Sequence, residues 1–269
     1  MIFDAPSLIA LVFDGTHWKE LYRQEAIRAA GSADSVQFTN PGSFSFRVPP
    51  GVTKIKLNLL GAGGWGGGAS SALLGQGGRG GLVNGELAVT EGELLDIVVG
   101  TGGKSNGKAG FSSLKRGATV LAIAAGGGNG SRNGGFGGRA GQSGDDGING
   151  TSIFSLGTPG GGATAIAGGI GGVHGQQGDD GEFGIALSGG ANQANAAGEG
   201  WGGNGWFGGG ASGTYDFVGS SAGPYANGGG GGGSNYTGGL SGTITNTGNG
   251  ALGGQGNVVG SGGLVKIVW

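Results

Sequence analysis

Glycine recurs at a strict three-residue spacing in two stretches of this chain. One stretch places it at 138, 141, 144, 147 and 150, the other at 169, 172, 175, 178, 181 and 184. Three is the period of the polyproline II helix, which rises about 3.1 Å per residue and makes no internal hydrogen bonds. Glycine along one edge of such a helix lets a neighbouring backbone come close, and the free N–H and C=O groups must then pair between helices. The two stretches also share wording, GQSGDDG at 141–147 and GQQGDDG at 175–181. The spacing predicts rods packed side by side, and 169–184 as a single rod would extend about 50 Å. Less regular runs at 61–81, 126–137, 200–210, 228–233 and 248–263 would add rods. Bulkier segments at 151–159, 185–197, 211–227 and 234–247 read as the turns between them. The competing reading is a flexible linker, but a linker has no need of a triplet register.

Composition removes the other uses of so much glycine. The chain has 77 glycines in 269 residues, and only Gly15, Gly31, Gly42 and Gly51 precede residue 61. Collagen needs roughly 15–20% proline or hydroxyproline, and there are six prolines. A helical protein is excluded because each interior glycine costs a helix up to ~1 kcal/mol relative to alanine. Disordered chains combine low hydrophobicity with high net charge; here hydrophobic residues make up 36% and the net charge is −2. Cysteine is absent, so neither disulfides nor thiolate metal sites are available. The opening MIFDAPSLIALVF has no basic start and no small-residue cleavage site, so we expect no signal peptide. No run approaches the ~18 apolar residues of a membrane-spanning helix. Weak acidity without basic clusters argues against nucleic acid as a partner. These features together predict assembly in a cytoplasm.

The remaining sequence reads as β-structure in three regions. Residues 1–34 contain two short strands, Leu8–Phe13 and His17–Tyr22, around the turn signal Asp14-Gly15-Thr16. An isolated hairpin is marginally stable in water, so this one must pack on something, either its own body or a partner chain. Residues 35–125 show strands of period two at 44–48, 53–60, 82–89, 94–99, 111–114 and 119–124, and residues 264–269 alternate again. We therefore expect an all-β fold. An antiparallel β-sandwich of residues 35–125 plus 262–269 would carry a large glycine-rich insertion, 126–261, forming a bundle of packed polyglycine II helices.

These residues bring a family resemblance. FRVPPGVTKIKLNLLGAGGWGGG, LAVTEGELLDIVVGTGG, VLAIAAGGGNG and the terminal GLVKIVW resemble the glycine-rich domain of phage tail-fibre and receptor-binding proteins. The hairpin ALVFDGTHWKELYR is similar to a segment common in phage tail-fibre and structural proteins, and the glycine insertion resembles the T-even-type phage tail-fibre adhesins. The resemblance implies a protein of the virion, assembled in the host cytoplasm, that recognises a bacterial surface receptor, protein or glycan, without covalent chemistry. It implies receptor contacts at the far ends of the rods and attachment to a tail-fibre or baseplate protein through the N-terminal region. A homotrimer and a monomer on a trimeric fibre both fit. The family's N-terminal attachment region has no obvious counterpart here. A structural fibre or capsid-decoration element, or an ice-binding protein, are the alternatives; the second needs a regular Ala/Thr array that outward residues such as Gln176, Asp179 and Glu182 do not provide.

Catalytic and cofactor motifs fail one by one. GxGxxG occurs by chance in such a sequence and lacks the βαβ unit it needs. Gly103-Lys104-Ser105 resembles the end of a P-loop, but the leading glycine would fall on Val98. Asp145-Asp146 and Asp179-Asp180 could pair for calcium or glycoside hydrolysis, yet read as solvated positions on equivalent rods. Two histidines, His17 and His174, do not make a triad. We expect no enzyme, cofactor or metal. The aromatics are the better signal, because a lattice closed by glycine has no room for large side chains and Tyr and Trp make good binding anchors. Tyr215, Asp216, Phe217 and Tyr225 lie in the longest turn and are the leading receptor-binding candidates. Tyr236, Trp201, Trp206, Phe207 and Phe154 follow, with packing on rod surfaces or on the sandwich as the alternative role.

Overall fold

Alternation of apolar and polar residues sets the strands of two facing antiparallel sheets. The computed structural model describes residues 8–13, 18–24, 34–67, 75–131, 135–141, 144–148, 158–173, 184–191, 200–215, 225–226 and 228–269. Compactness divides the chain into Met1–Asp34 and Ser35–Trp269. In the first, β1 (Leu8–Phe13) pairs antiparallel with β2 (Trp18–Gln24); the expected turn at 14–16 lies outside the described residues. The second holds β3 (Ser35–Phe38), β4 (Gly42–Arg47), β5 (Lys54–Leu60), β6 (Leu82–Ala88), β7 (Leu94–Val99), β8 (Ser112–Arg116) and β9 (Thr119–Ala124). It continues with β10 (Thr214–Tyr215), β11 (Tyr225–Ala226), β12 (Ser241–Thr247) and β13 (Leu264–Val268). Among the described residues there is no helix. The fold is all-β.

One sheet has five strands in the order β12-β6-β5-β13-β3, the other four in the order β4-β7-β8-β9. Ile55, Leu57 and Leu59 of β5, Leu95, Ile97 and Val99 of β7, and Val265 and Ile267 of β13 fill the space between them. Their neighbours on the other side of each strand are polar or part-exposed, as a sheet solvated on one face requires. At one edge Arg116 of β8 grips Glu93 just before β7 and also donates to the Ala88 carbonyl oxygen at 2.8 Å.

The glycine segments form a different kind of array. Gly61 donates to the Gly81 carbonyl oxygen, Gly64 to Gly78 and Gly75 to Gly67, each at 2.9 Å. The same two segments therefore meet every third residue, whereas strands would meet every second. Gly138 to Gly230 at 2.8 Å and Gly141 to Gly233 at 3.2 Å repeat the three-residue step between segments running in the same direction. Such a step is the signature of threefold helices bonded side to side. The glycines are there for closeness: a Cβ on Gly61, Gly64, Gly128, Gly138 or Gly230 would come under 3.0 Å from the neighbouring segment's backbone. None of these five adopts a left-handed φ.

Three expectations need correction. The 169–184 run is not one rod of about 50 Å, because Gly184 donates to the Gly169 carbonyl oxygen at 2.8 Å and the run's two ends lie side by side. The 138–150 run also folds back, since Asp145 donates to Arg139 at 2.8 Å and Gly147 to Gly160 at 2.9 Å. Glycine spacing of three survives the reversal because Gly141 and Gly144 each serve a separate rod. Finally, 234–247 is not a turn between rods: it contains β12, an edge strand of the larger sheet. The sandwich thus draws a strand from within 126–261, and rods 61–67 and 75–81 come from within 35–125.

Buried carboxamides join the two arrays. Asn235 accepts from the Ala125 N–H at 2.8 Å and donates to Asn246 Oδ1 and the Thr247 carbonyl oxygen. Asn129 accepts from the Trp65 N–H at 2.9 Å and donates to the carbonyl oxygens of Lys104 and Gly107. Each amide supplies the donor and acceptor that a missing stretch of backbone would have supplied.

Two outcomes follow from this packing. Gly128→Ala forces a methyl group onto the Gly230 carbonyl and should cost about 2–3 kcal/mol in urea unfolding. Gly107→Ala, whose nearest neighbour is 3.9 Å away, should stay within about 0.5 kcal/mol of the parent. For Glu93, burial pushes the carboxyl up, but hydrogen bonds from Arg116 and the Thr90 N–H outweigh it and hold the group below its ordinary value of 4.5. A carboxyl depressed on folding stabilises the protein above its unfolded value and loses that contribution as pH falls through the folded one. Urea midpoints measured from about pH 6 to pH 3 should therefore fall less steeply for Glu93→Gln than for the parent.

Candidate functional site

The rods have a near end and a far end relative to the sandwich. Gly61 follows β5, Gly81 precedes β6 and Ala125 follows β9, and Gly81 donates to Ala125 at 2.7 Å in the layer beside the sheets. Six residues later along the first rod, about 19 Å away at 3.1 Å per residue, Gly67 accepts from Gly75. Ser131 donates to Gly135 at the same far end, and Phe136 and Ile148 exchange backbone hydrogen bonds at 3.1 and 2.8 Å. Next to them Thr158 donates to the Val173 carbonyl oxygen at 2.8 Å, and Gly213 donates to Thr158 at 2.9 Å.

Gly213 leads directly into β10, which pairs with β11 through Thr214–Ala226 and Tyr215–Tyr225. The backbones of Tyr215 and Tyr225 thus leave the lattice as an antiparallel pair at its far end. Asp216 and Phe217, between them, lie outside the described residues, as do Phe154, Asp179, Asp180, His17 and His174. Large apolar side chains are exposed in this layer: Phe136, Ile148 at 57%, Val173 at 58%, and Val258 on the rod bonded to Gly66. Sequence reasoning passed over these because single aliphatics inside glycine runs look like interruptions. Their signal is position, since each falls where a rod ends. Exposed apolar residues also occur at the near end, at Ile166, Ile185 and Leu187.

The other aromatic candidates go elsewhere. Tyr236 exchanges backbone hydrogen bonds with Ile123 of β9 at 2.9 Å, which places it against the sandwich. Trp206 stacks on it with ring centroids 4.3 Å apart, and Phe207 meets Trp206 edge-on at 6.1 Å. Trp201 lies under the Lys108 ammonium, 5.8 Å from its ring centre, beside the β7–β8 connection. All four rings are half-buried. The alternative role, packing on rods and sandwich, describes their positions. Asp145 and Asp146 are exposed, and Asp146 accepts from the Gly162 N–H at 2.7 Å. No group of three or more His, Cys, Asp or Glu able to hold a metal occurs among the described residues.

A sequence model described as a glycine-rich domain matches residues 39–263. The chain belongs to that glycine-rich domain family. No curated protein matches it. The match takes in β4 to β12 and the glycine segments between them, and stops short of β3 and β13.

The near-end ring cluster and the far-end pair should respond differently to truncation. Trp206→Ala removes a stacked, half-buried ring and should lower stability by about 2 kcal/mol. Thermal melts of Trp206→Ala beside Tyr215→Ala test the contrast, with the second expected to melt like the parent.

Proposed function

We propose that this protein is a phage tail-fibre receptor-binding adhesin that recognises a bacterial surface receptor non-covalently through the far end of the rod bundle. The sandwich and the N-terminal hairpin attach it to the fibre, and the protein acts as part of the virion. The observation that carries the reading is the β10–β11 pair, which brings Tyr215 and Tyr225 out of the lattice at the layer farthest from the sheets. The exposed Phe136, Ile148 and Val173 of that layer support it, because exposed apolar groups rimmed by polar ones mark interaction sites.

Rigid presentation is the physical advantage. Binding costs about 0.5–1.5 kcal/mol for each side chain or loop residue that must be ordered, and rods locked through their backbones remove part of that cost beforehand. The chemistry asked of the site is contact alone.

Purified protein carrying a fluorophore should stain a subset of strains in a bacterial panel. Replacing both Tyr215 and Phe217 with alanine should reduce staining more than about tenfold, as loss of an aromatic anchor does, with the melting temperature unchanged. Normal staining by the double variant defeats the site assignment. Firm incorporation into virions without staining of any strain favours a structural fibre or decoration element instead.

A further inference from the structure

An asparagine followed by glycine exposes its side-chain amide to attack by the next backbone nitrogen, because glycine has no Cβ to hinder the approach. The pair occurs eight times in this chain, and five lie among the described residues, at Asn84, Asn106, Asn129, Asn204 and Asn249. The fold restrains four of these. Asn129 spends its oxygen on the Trp65 N–H and its nitrogen on two carbonyl oxygens. Asn204 Oδ1 accepts from the Gly189 N–H at 2.9 Å, and Gly205 is packed so closely that a Cβ would come 2.7 Å from the Ser234 carbonyl oxygen. Asn84 and Gly85 stand in β6, opposite Asn58 and Leu57 of β5. Asn249 is exposed, but the nitrogen that would attack it, that of Gly250, donates to the Gly80 carbonyl oxygen at 2.8 Å.

Asn106 has none of these restraints. It is exposed in the β7–β8 connection, inside a turn closed by Lys104 and Gly107. Gly107 donates to the Lys104 carbonyl oxygen at 3.2 Å, the long limit for such a bond. The nearest atom to a Cβ built on Gly107 is 3.9 Å away, so the backbone has room to turn its nitrogen onto the side chain. Lys104 and Lys108 stand two residues away on either side, and positive charge favours the deprotonated nitrogen that attacks.

We propose that Asn106 is a site of spontaneous deamidation and that the product loosens the buried clasp made by Asn129. The Gly107 nitrogen, its proton lost to solvent, bonds to Asn106 Cγ; the Cγ–Nδ2 bond breaks, ammonia leaves and a cyclic imide remains. Water then opens the ring. Cleavage at Cγ gives aspartate, and cleavage at the Asn106 backbone carbonyl gives isoaspartate, with the chain rerouted through the side chain. The balance is asparagine plus water giving a carboxylic acid plus ammonia. Isoaspartate lengthens the chain by a CH2 within the turn whose Lys104 and Gly107 carbonyl oxygens each accept from Asn129 Nδ2 at 3.2 Å. Shifting them strips partners from a fully buried amide, which is costly.

The reaction is independent of the adhesin function proposed for the rod ends. Its test is to age the purified full chain at mildly alkaline pH and map chymotryptic peptides by mass spectrometry, with an isoaspartyl methyltransferase as the label for the rerouted product. Asn106 should convert at least about tenfold faster than Asn84, Asn129, Asn204 or Asn249, which react only through local opening of the fold. Gly107→Ala should slow conversion by more than about tenfold, since a Cβ narrows the backbone rotation that the attack needs. The aged parent should melt about 2–4 °C lower than fresh protein, while Asn106→Gln, aged alongside, keeps its melting temperature. Asn106 left intact, or converting no faster than Asn129, overturns the site. An equal loss of melting temperature in the aged parent and in aged Asn106→Gln overturns the coupling to Asn129.

Discussion

Between the rods, an amide hydrogen bond joins one backbone to the next at every third residue, as from Gly64 to Gly78 and from Gly78 on to Gly128. The bond forms because neither partner carries a side chain at the contact, and a methyl group there would overlap the facing carbonyl. A threefold helix satisfies none of its own amides, so every N–H inside the array must find a neighbour. Bulk is excluded from the array for the same reason. Aromatic and aliphatic side chains are left with the outer faces, the rod ends and the seam with the sandwich.

The seam is a mismatch of periods. Strands repeat every two residues and rods every three, so a strand that becomes a rod soon loses register with its neighbours. Asn129 and Asn235 absorb that loss by bringing a side-chain amide to places the backbone no longer reaches. Tyr236 takes the rod at 228–235 back into pairing with β9, and the Trp206 ring stacked on it covers the join. These aromatics serve the lattice where it meets the sheets, which is why their presence in a glycine run did not by itself mark a binding surface.

Sequence carried the two periods plainly. The alternation in β5, β7 and β13 and the triplet glycines each have a single physical reading, so the all-β fold and the rods were both legible. The reversals were hidden, because Gly141 and Gly144 keep the triplet spacing although each serves a separate rod. The β12 segment, SGTITNT, was hidden by its flanking glycines and by its place on an edge, where one side of the strand makes no ladder. Nor could Asn129 and Asn235 be told from surface asparagines, since their role depends on rods that approach from 64 and 110 residues away.

Topology explains why so many connections gather at one end. The chain enters the bundle after β5, after β9 and after β12, and each time it comes back to the sandwich, at β6, at Tyr236 and at β13. An excursion that begins and ends at the same layer contains an even number of rods. Its first and last connections must then lie at the far end, whatever residues compose them. The lattice contributes bonds between backbones alone, so far-end side chains such as Ile148 and Val173 can change without touching the contacts that hold their rods. A binding surface assembled there is free to vary in chemistry while its geometry stays fixed.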